Sequence, residues 1–179
     1  GNDTLDLSST SADAVVDLAA GYAASSDIGH DGIAGIEIVK AGSGDDVIVA
    51  NDSVNVLVGG AGADTFVFGS VAAIGKGHGS RDRILDFEVG DRIDLENVSK
   101  EFAAVVDSTF EDHGIRKFVL IGMQDAFTTP GEMRLKYEDA DGHVTTILQG
   151  NMNHDVDAEF ELEIVGAHAL QVDDHVRLT

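Results

Sequence analysis

Short apolar triplets recur every nine residues in the first half of the chain. Between residues 32 and 85 most nine-residue blocks end in β-branched or large apolar residues, and the middle positions of the clearest triplets are Ile48, Leu57 and Phe66. Neighbouring residues of a strand point to opposite faces, so the middle residue of each triplet is expected in the core. The pattern predicts six short strands separated by turns of similar length.

Glycine and aspartate dominate the turns between these triplets. Residues 59–67 match a G-G-x-G-x-D-x-U-x nonapeptide, in which U is a large apolar residue. Glycine supplies backbone angles that other residues avoid, so such a turn can aim carbonyl oxygens and a carboxylate inward. Hard oxygen ligands suit Ca²⁺. Repeats of this kind are typical of a parallel β-helix that binds calcium.

Two nonapeptides make one coil of such a roll, so residues 18 apart are expected to stack on the same side. Counting by 18 places three aspartates on one edge, namely Asp46, Asp64 and Asp82. The same count places a weaker set on the other edge: Glu37, Asn55 and Ala73. The block at residues 68–76 is the most degenerate, and we expect it to bulge outward.

This register predicts two calcium sites. The first combines the carboxylates of Asp46 and Asp64 with carbonyls from two turns, whose residues are Gly42, Ser43, Gly44, Gly59, Gly60, Ala61 and Gly62. The second pairs Asp64 with Asp82 and uses the turn that contains Gly77 and Gly79. Weaker candidates are Glu37 opposite Asn55, for a third ion, and Asp3, for a site completed elsewhere.

The charge of the chain points to cations as partners. Eleven Lys and Arg residues against 33 Asp and Glu residues give a net charge of −22, which argues against nucleic acid and anionic membranes. A solvated acidic surface would give the same charge, but acids concentrated in Gly-Asp turns favour calcium. There is no cysteine, so disulfides and thiolate metal sites are excluded. No apolar run approaches the length of a transmembrane helix.

Two segments depart from the repeat. Residues 7–31 break the nine-residue register, and we expect an insertion that carries one strand at residues 14–18 and a mobile loop. Residues 1–5 look like the back half of a nonapeptide, so we expect the chain to be part of a longer protein. The roll, with its insertion, is predicted to occupy residues 1–85.

Longer alternating strands follow from residue 86 onward. Val89, Gly90 and Asp91 form a turn that predicts a hairpin or a corner. Residues 133–137 and 144–148 predict a hairpin, and Phe160, Leu162 and Ile164 alternate with glutamates as in a strand with one wet, acidic face. Another strand is expected at residues 117–121. The predicted fold is therefore all-β, with a parallel β-roll capped by an antiparallel β-sandwich at residues 86–179.

The stretch GIEIVKAGSGDDVIVANDSVNVLVGGAGADTFVFGS, followed by RDRILDFEVGDRIDL, resembles the C-terminal domain of the serralysin family of secreted metalloproteases. That family carries a calcium-binding RTX (repeats-in-toxin) roll, then a D-x-I-x-D-F…D-x-I-D-L segment and a capping sandwich. The tail DVDAEFELEIVGAHALQVDDHV is similar to the family's closing acidic strands. The terminal acidic-apolar signature is matched loosely, by residues 172–176.

The resemblance implies an RTX module that binds two or more Ca²⁺ ions and folds outside a Gram-negative cell. It also implies the type I secretion machinery as a partner, which would read a signal near the C-terminus. The family's HExxH zinc motif is absent from this sequence, and no Ser or Thr stands in a nucleophile context such as G-x-S-x-G, so a non-catalytic module is predicted.

An accessory module that binds an extracellular polysaccharide remains an alternative, because similar modules accompany polysaccharide epimerases and lyases. Calcium would then bridge to an acidic glycan. An exposed row of basic and aromatic residues would favour this reading, and the only modest basic clusters are at residues 81–83 and 116–117.

Overall fold

The computed structural model describes residues 1–109, 118–123, 126–140, 143–153, 155–172 and 176–178. This part of the chain is built mainly of short strands. In chain order the elements are β1 (Thr4–Asp6), β2 (Ala14–Asp17), β3 (Tyr22–Ser25), β4 (Gly29–Gly32), β5 (Ile38–Lys40), β6 (Val47–Val49), β7 (Val56–Val58), β8 (Thr65–Val67), β9 (Arg83–Ile84), β10 (Arg92–Asp94), α1 (Glu96–Thr109), β11 (Val119–Leu120), β12 (Glu132–Ala140), β13 (His143–Gly150), β14 (Phe160–Val165) and β15 (Val176–Arg177).

The strands form two sheets that share one core. Sheet A has the order β1-β5-β7-β9-β14-β13-β12-β11, and sheet B has the order β15-β10-β8-β6-β2-β3-β4. From β5 to β10 the chain alternates between the sheets, and successive strands within each sheet run parallel. The middle residues of the triplets, including Val39, Ile48, Leu57 and Phe66, are fully buried. The predicted parallel roll is confirmed.

The predicted spacing of 18 holds for the first coils and then fails. Leu57 of β7 lies beside Val39 of β5, which is 18 residues away. On the next coil Leu57 pairs with Ile84, and Phe66 pairs with Ile93, so both steps are 27 residues. Residues 68–76, which we expected to bulge outward, contribute no strand to either sheet. Because this block does not cross the roll, every later residue reaches the opposite edge from the one predicted.

The insertion is more ordered than predicted. Strand β2 confirms the strand expected at residues 14–18, and it pairs with β6 as part of sheet B. The expected mobile loop contains two further strands, β3 and β4, which continue sheet B as an antiparallel meander. Ala23 is buried on one face, and the rings of Tyr22 and His30 stack at 5.0 Å. These contacts give the meander its order.

The second half adds antiparallel strands to sheet A. The predicted hairpin is confirmed, since β12 and β13 pair Leu135 with Leu148. Strand β14 pairs antiparallel with β13 and parallel with β9, so both sheets run across the predicted division at residue 85. The turn at residues 89–91 is a corner, because β9 and β10 belong to different sheets. Residues 116–117 and 173–175, on which two sequence interpretations rest, lie outside the described residues.

Helix α1 was not predicted from the sequence. Val98 and Phe102 on one face of it are fully buried, and the Phe102 ring lies 4.8 Å from that of Phe118. A signal was present, because Leu95, Val98 and Phe102 follow helical spacing and Glu96 stands four residues before Lys100. In the part of the chain that the structure describes, no helix has the length and apolar character needed to cross a membrane.

Candidate metal sites

Two glycine-rich turns stack directly on each other at one edge of the roll. The Ala61 N–H donates to the Gly42 carbonyl at 3.0 Å. Gly60 and Gly62 have φ angles of 98° and 136°, and a Cβ on either would collide with the carbonyl oxygen of Gly42 or Gly44. Glycine is therefore required for both conformation and space. The structure brings together the two turns of the first predicted site.

The aspartates of this edge form a ladder in which each carboxylate binds the preceding coil. The Ala14 N–H donates to Asp46 Oδ1 at 2.7 Å, the Asp46 N–H to Asp64 Oδ1 at 2.8 Å, and the Asp64 N–H to Asp91 Oδ1 at 2.9 Å. We call this edge, defined by Asp46, Asp64 and Asp91, the B edge. Its third aspartate is Asp91, so the prediction that Asp82 occupies this place is wrong.

Asp91 was missed because the count of 18 was carried through residues 68–76. A local signal was available in the sequence. Asp91 stands two residues before the buried Ile93, just as Asp64 stands two residues before Phe66. Matching that spacing instead of counting residues would have marked Asp91 as a candidate, although Asp82 has the same spacing to the buried Ile84, so the spacing does not give the edge.

Asp82 lies on the other edge of the roll, beside Asn55. The Asn55 N–H donates to Asp82 Oδ1 at 2.7 Å. We call this edge, defined by Glu37, Asn55 and Asp82, the A edge. The predicted site that pairs Asp64 with Asp82 is therefore not formed, because residues 68–76 add a block that does not cross the roll and so place Asp82 on the opposite edge from Asp64. Gly77 and Gly79 of the adjacent turn have φ angles of 82° and 85°, and a Cβ on either would meet no atom within 4 Å.

The middle turn of the A edge is held by amide side chains. The Asn51 N–H donates to Asn55 Oδ1 at 3.0 Å, and Asn55 Nδ2 donates to Asn51 Oδ1 at 3.2 Å. On the neighbouring coil Glu37 Oε2 accepts the Asp3 N–H at 2.9 Å. Asp3 and Glu37 thus lie side by side. Glu37 also lies beside Asn55, because the N–H of the next residue, Val56, donates to the Glu37 carbonyl. Whether these residues bind a third ion stays a prediction.

Among the described residues, two buried side-chain oxygens have no hydrogen-bond donor, Asp64 Oδ2 and Asp82 Oδ2. Both residues are 1% exposed. The amides of Gly59 and Gly60, in the same turn as Asp64, are taken by the carboxylate of Asp86 at 3.0 and 2.8 Å. A buried charged oxygen without a donor is costly. Each position is therefore stabilised by a proton or by a cation.

The protonation equilibria reflect this cost. Burial raises the pKa of Asp64 to about 6, against the hydrogen bond from the Asp46 N–H and with smaller contributions from the nearby carboxylates of Asp91, Asp46 and Asp86. Burial raises the pKa of Asp82 to about 8, against the hydrogen bond from Asn55. A positive charge nearby would therefore stabilise the ionised form of both aspartates.

The donor chemistry suits calcium. Within the described ranges no three His, Cys, Asp or Glu side chains converge to hold a metal ion by themselves. An ion beside Asp64 or Asp82 would therefore need main-chain carbonyls as additional ligands, and the glycine turns are the segments that can present them. Ca²⁺ takes about six to eight oxygen ligands and accepts backbone carbonyls, whereas softer metals prefer nitrogen and sulfur.

Solved structures share the fold of this chain. No curated protein matches this chain. The chain is similar in structure to the AlgE6R3 subunit of the Azotobacter vinelandii mannuronan C5-epimerase, with 22% identity and a TM-score of 0.50 over 99% of this chain and 80% of that chain. For the AlgE6R2 subunit of that epimerase the identity is 20% and the TM-score 0.48, over 99% and 92% of the two chains.

The family model described as Peptidase M10 serralysin C terminal matches residues 1–176. That range includes both edges of the roll, the antiparallel strands of the second half and the first residue of β15. The match confirms the resemblance inferred from the repeat and from the segment RDRILDFEVGDRIDL. This chain belongs to the family of serralysin C-terminal domains of the M10 peptidases.

Proposed function

We propose that this chain is a calcium-binding module that holds at least one ion at each edge of the roll and completes its folding only when calcium is bound. The observation that carries the proposal is the pair of buried oxygens without donors, Asp64 Oδ2 and Asp82 Oδ2. A bound cation supplies the positive charge that each lacks. Binding to the folded state alone then stabilises that state in proportion to the calcium concentration.

At the B edge Asp64 is the central ligand. Its carboxylate lies among those of Asp46, Asp86 and Asp91, all of which act on its pKa. Without a cation these groups repel one another, and with a cation the repulsion becomes attraction. The turns at residues 42–44 and 59–62 contribute carbonyl oxygens in this proposal.

At the A edge Asp82 is the charged ligand, and the turn containing Gly77 and Gly79 contributes carbonyls. Asn55 stands where the B edge has an aspartate, so this site has fewer charges. We expect it to bind calcium more weakly than the B edge, because affinity in oxygen sites rises with the number of charged ligands.

The biological role follows from calcium-dependent folding. We propose that the module is the C-terminal folding and secretion domain of a protein exported by type I machinery from a Gram-negative bacterium. The net charge of −22 favours an unfolded chain where calcium is scarce and a folded one outside the cell, where it is plentiful. In this proposal the module is non-catalytic, and any enzymatic activity belongs to the remainder of the parent protein.

The proposal is tested by removing calcium and restoring it. The protein is stripped with a chelator and followed by far-UV circular dichroism and thermal unfolding as Ca²⁺ is added, with Mg²⁺ at equal concentration as a control. We expect strand signal and thermal midpoint to rise with Ca²⁺ and much less with Mg²⁺, which keeps its water ligands. Asp64→Ala should remove more of this gain than Asn55→Ala. A chelated protein with full strand signal and an unchanged midpoint would refute the proposal.

Polysaccharide binding is the second candidate, and the fold shared with an epimerase subunit favours it. Against it, three basic side chains are engaged by glutamates of the same chain: Arg81, Arg83 and Lys136. Affinity electrophoresis in gels containing alginate decides between the candidates. Retardation that requires Ca²⁺ would establish glycan binding, whereas unchanged mobility would leave calcium binding as the function.

A further inference from the structure

Asp82 is fixed by three separate segments of the chain. Its side chain accepts the Asn55 N–H, its main-chain N–H donates to the Ile74 carbonyl at 2.9 Å, and its carbonyl accepts the Glu163 N–H of β14 at 2.9 Å. By contrast, Asp64 is bound through Asp46, Asp91 and Arg92, which all belong to the roll and its last strand. The two aspartates therefore differ in whether β14 helps to hold them.

The turn that leads to Asp82 is shaped by β14 as well. The Glu161 N–H donates to the Gly75 carbonyl at 3.0 Å, and Glu161 Oε2 accepts the Gly77 N–H at 3.0 Å. Three glycines of this turn have positive φ angles, namely Gly75, Gly77 and Gly79. A Cβ on Gly75 would collide with the Ser80 carbonyl oxygen, whereas one on Gly77 or Gly79 would meet open space. A turn this rich in glycine loses much conformational entropy on folding, and the hydrogen bonds from β14 offset that cost.

Arg81 is the centre of these contacts. Its guanidinium binds Glu138 Oε2 at 2.7 Å, Glu163 Oε2 at 3.0 Å and Glu161 Oε2 at 3.3 Å, and its side chain is 3% exposed. The predicted wet, acidic face of β14 is thus wrong at this point, because arginine covers it. A buried guanidinium that satisfies three carboxylates fixes its own backbone, and Asp82 is the next residue.

We propose that Arg81 is a positioning residue that couples the A-edge calcium site to the antiparallel strands of the second half. The Asp82 site is assembled only when β12 and β14 have docked, whereas the Asp64 site belongs to the roll alone. This inference rests on the proposed function, since it concerns one of the two proposed calcium sites.

Arg83 provides a matched control. It binds the same glutamate as Arg81, through Glu163 Oε1 at 2.7 Å, but its side chain is 44% exposed. Isothermal titration calorimetry with Ca²⁺ then compares Arg81→Gln with Arg83→Gln in two backgrounds. In Asp64→Asn the remaining site is that of Asp82, and in Asp82→Asn it is that of Asp64.

We expect Arg81→Gln to weaken calcium binding about tenfold or more in the Asp64→Asn background, a loss typical of removing a group that orients a metal ligand. In the Asp82→Asn background Arg81→Gln should change calcium affinity by less than about twofold. Arg83→Gln should change it by less than about twofold in both backgrounds, because exposed ion pairs are weak. Equal losses in the two backgrounds, or no loss in either, would overturn the coupling. Absence of calcium binding by the unsubstituted protein would instead refute the proposed function.

Glu161→Gln keeps the inference testable if Arg81→Gln does not fold. The carboxylate of Glu161 accepts from both the Gly77 N–H and Gln149 Nε2, and an amide has only one oxygen to offer them. We expect the same selective loss at the Asp82 site, smaller in size. Wild-type affinity at that site in a folded Glu161→Gln protein would overturn the proposal.

Discussion

The two edges of the roll share one backbone plan and differ in chemistry. The B edge stacks three aspartates at spacings of 18 and 27 residues, and glycines required by space hold its turns. The A edge carries an amide pair in its middle turn and one buried aspartate, Asp82, whose carbonyl accepts the Glu163 N–H of β14. Buried aspartates are thus concentrated where the roll is self-sufficient, and the other edge is built together with the second half of the chain.

The difference also shows what a solenoid tolerates. Skipping one nine-residue block leaves the inward residues in register, because Ile84 pairs with Leu57 and Ile93 with Phe66. What changes is the edge to which each later turn belongs. The core pairing is therefore kept through the irregularity, whereas the distribution of aspartates between the two edges is not.

The largest expected effect contrasts glycines of the two edges. Gly60→Ala introduces a Cβ into the Gly42 carbonyl at a positive φ angle, and should destabilise the protein by about 3–5 kcal/mol. Gly77→Ala carries the backbone penalty alone, since a Cβ there meets open space, and should cost about 1 kcal/mol. Urea unfolding in saturating Ca²⁺ measures both. Equal losses would show that the B-edge turns are not more tightly packed.

The pH dependence of folding stability is a second way to distinguish the two edges. Because the folded-state pKa values of Asp64 and Asp82 are raised, to about 6 and about 8, the folded state binds protons more tightly than the unfolded one. In chelator, stability should therefore be greatest near pH 4 and fall as pH rises, by up to about 1.4 kcal/mol for each unit by which a folded pKa exceeds its unfolded value. The stabilisation that comes from protonated Asp64 is lost by about pH 6, and that from protonated Asp82 is lost by about pH 8.

Single substitutions assign the pH dependence of stability to Asp64 or to Asp82. Asp82→Asn should flatten the decline between pH 6 and 8, whereas Asp64→Asn should flatten only the part below it. Saturating Ca²⁺ should reverse the trend, because protons compete with the ion for both carboxylates. A metal-free protein whose stability rises from pH 4 to 8 would contradict the assignment.

The effect of Asp64→Asn on stability should change sign when calcium is bound. In chelator near pH 7.5 it removes a buried, unpaired charge and should stabilise the protein by about 1–2 kcal/mol. In saturating Ca²⁺ it removes a charged ligand and should lower the thermal midpoint. Asp52→Asn, an exposed carboxylate in a turn of the A edge, is the control and should change little in either condition. Destabilisation by Asp64→Asn in chelator would argue against an unpaired charge.

The smallest effect comes from giving the A edge the chemistry of the B edge. Asn55→Asp loses the hydrogen bond to Asn51 Oδ1 and should cost about 1 kcal/mol in chelator. With calcium, the added carboxylate one coil from Asp82 should strengthen binding at that edge several-fold, as measured by calorimetry. Asn97→Asp makes the same change of charge on the exposed side of α1 and should leave binding unchanged. No gain over this control would mean that charge does not distinguish the edges.

Local pattern predicted the strands and turns of the roll but not its register. Ile48, Leu57 and Phe66 are buried as expected, because alternation within a strand is a local property. Asp82 was assigned to the wrong edge and Asp91 was missed because their edges depend on the path of residues 68–76, where no motif shows that the block does not cross the roll. Helix α1 was missed although Leu95, Val98 and Phe102 follow helical spacing, because that spacing does not show what covers the apolar face. The Phe102 ring packs on that of Phe118, which lies far along the chain.

A crystal structure with bound calcium, analysed by anomalous scattering, tests most directly whether each edge holds its own ion. We expect separate peaks on opposite edges of the roll, one about 2.3–2.6 Å from Asp64 Oδ2 and another at the same range from Asp82 Oδ2. A single ion shared by Asp64 and Asp82, or the absence of any ion at these two oxygens in saturating Ca²⁺, would contradict the account.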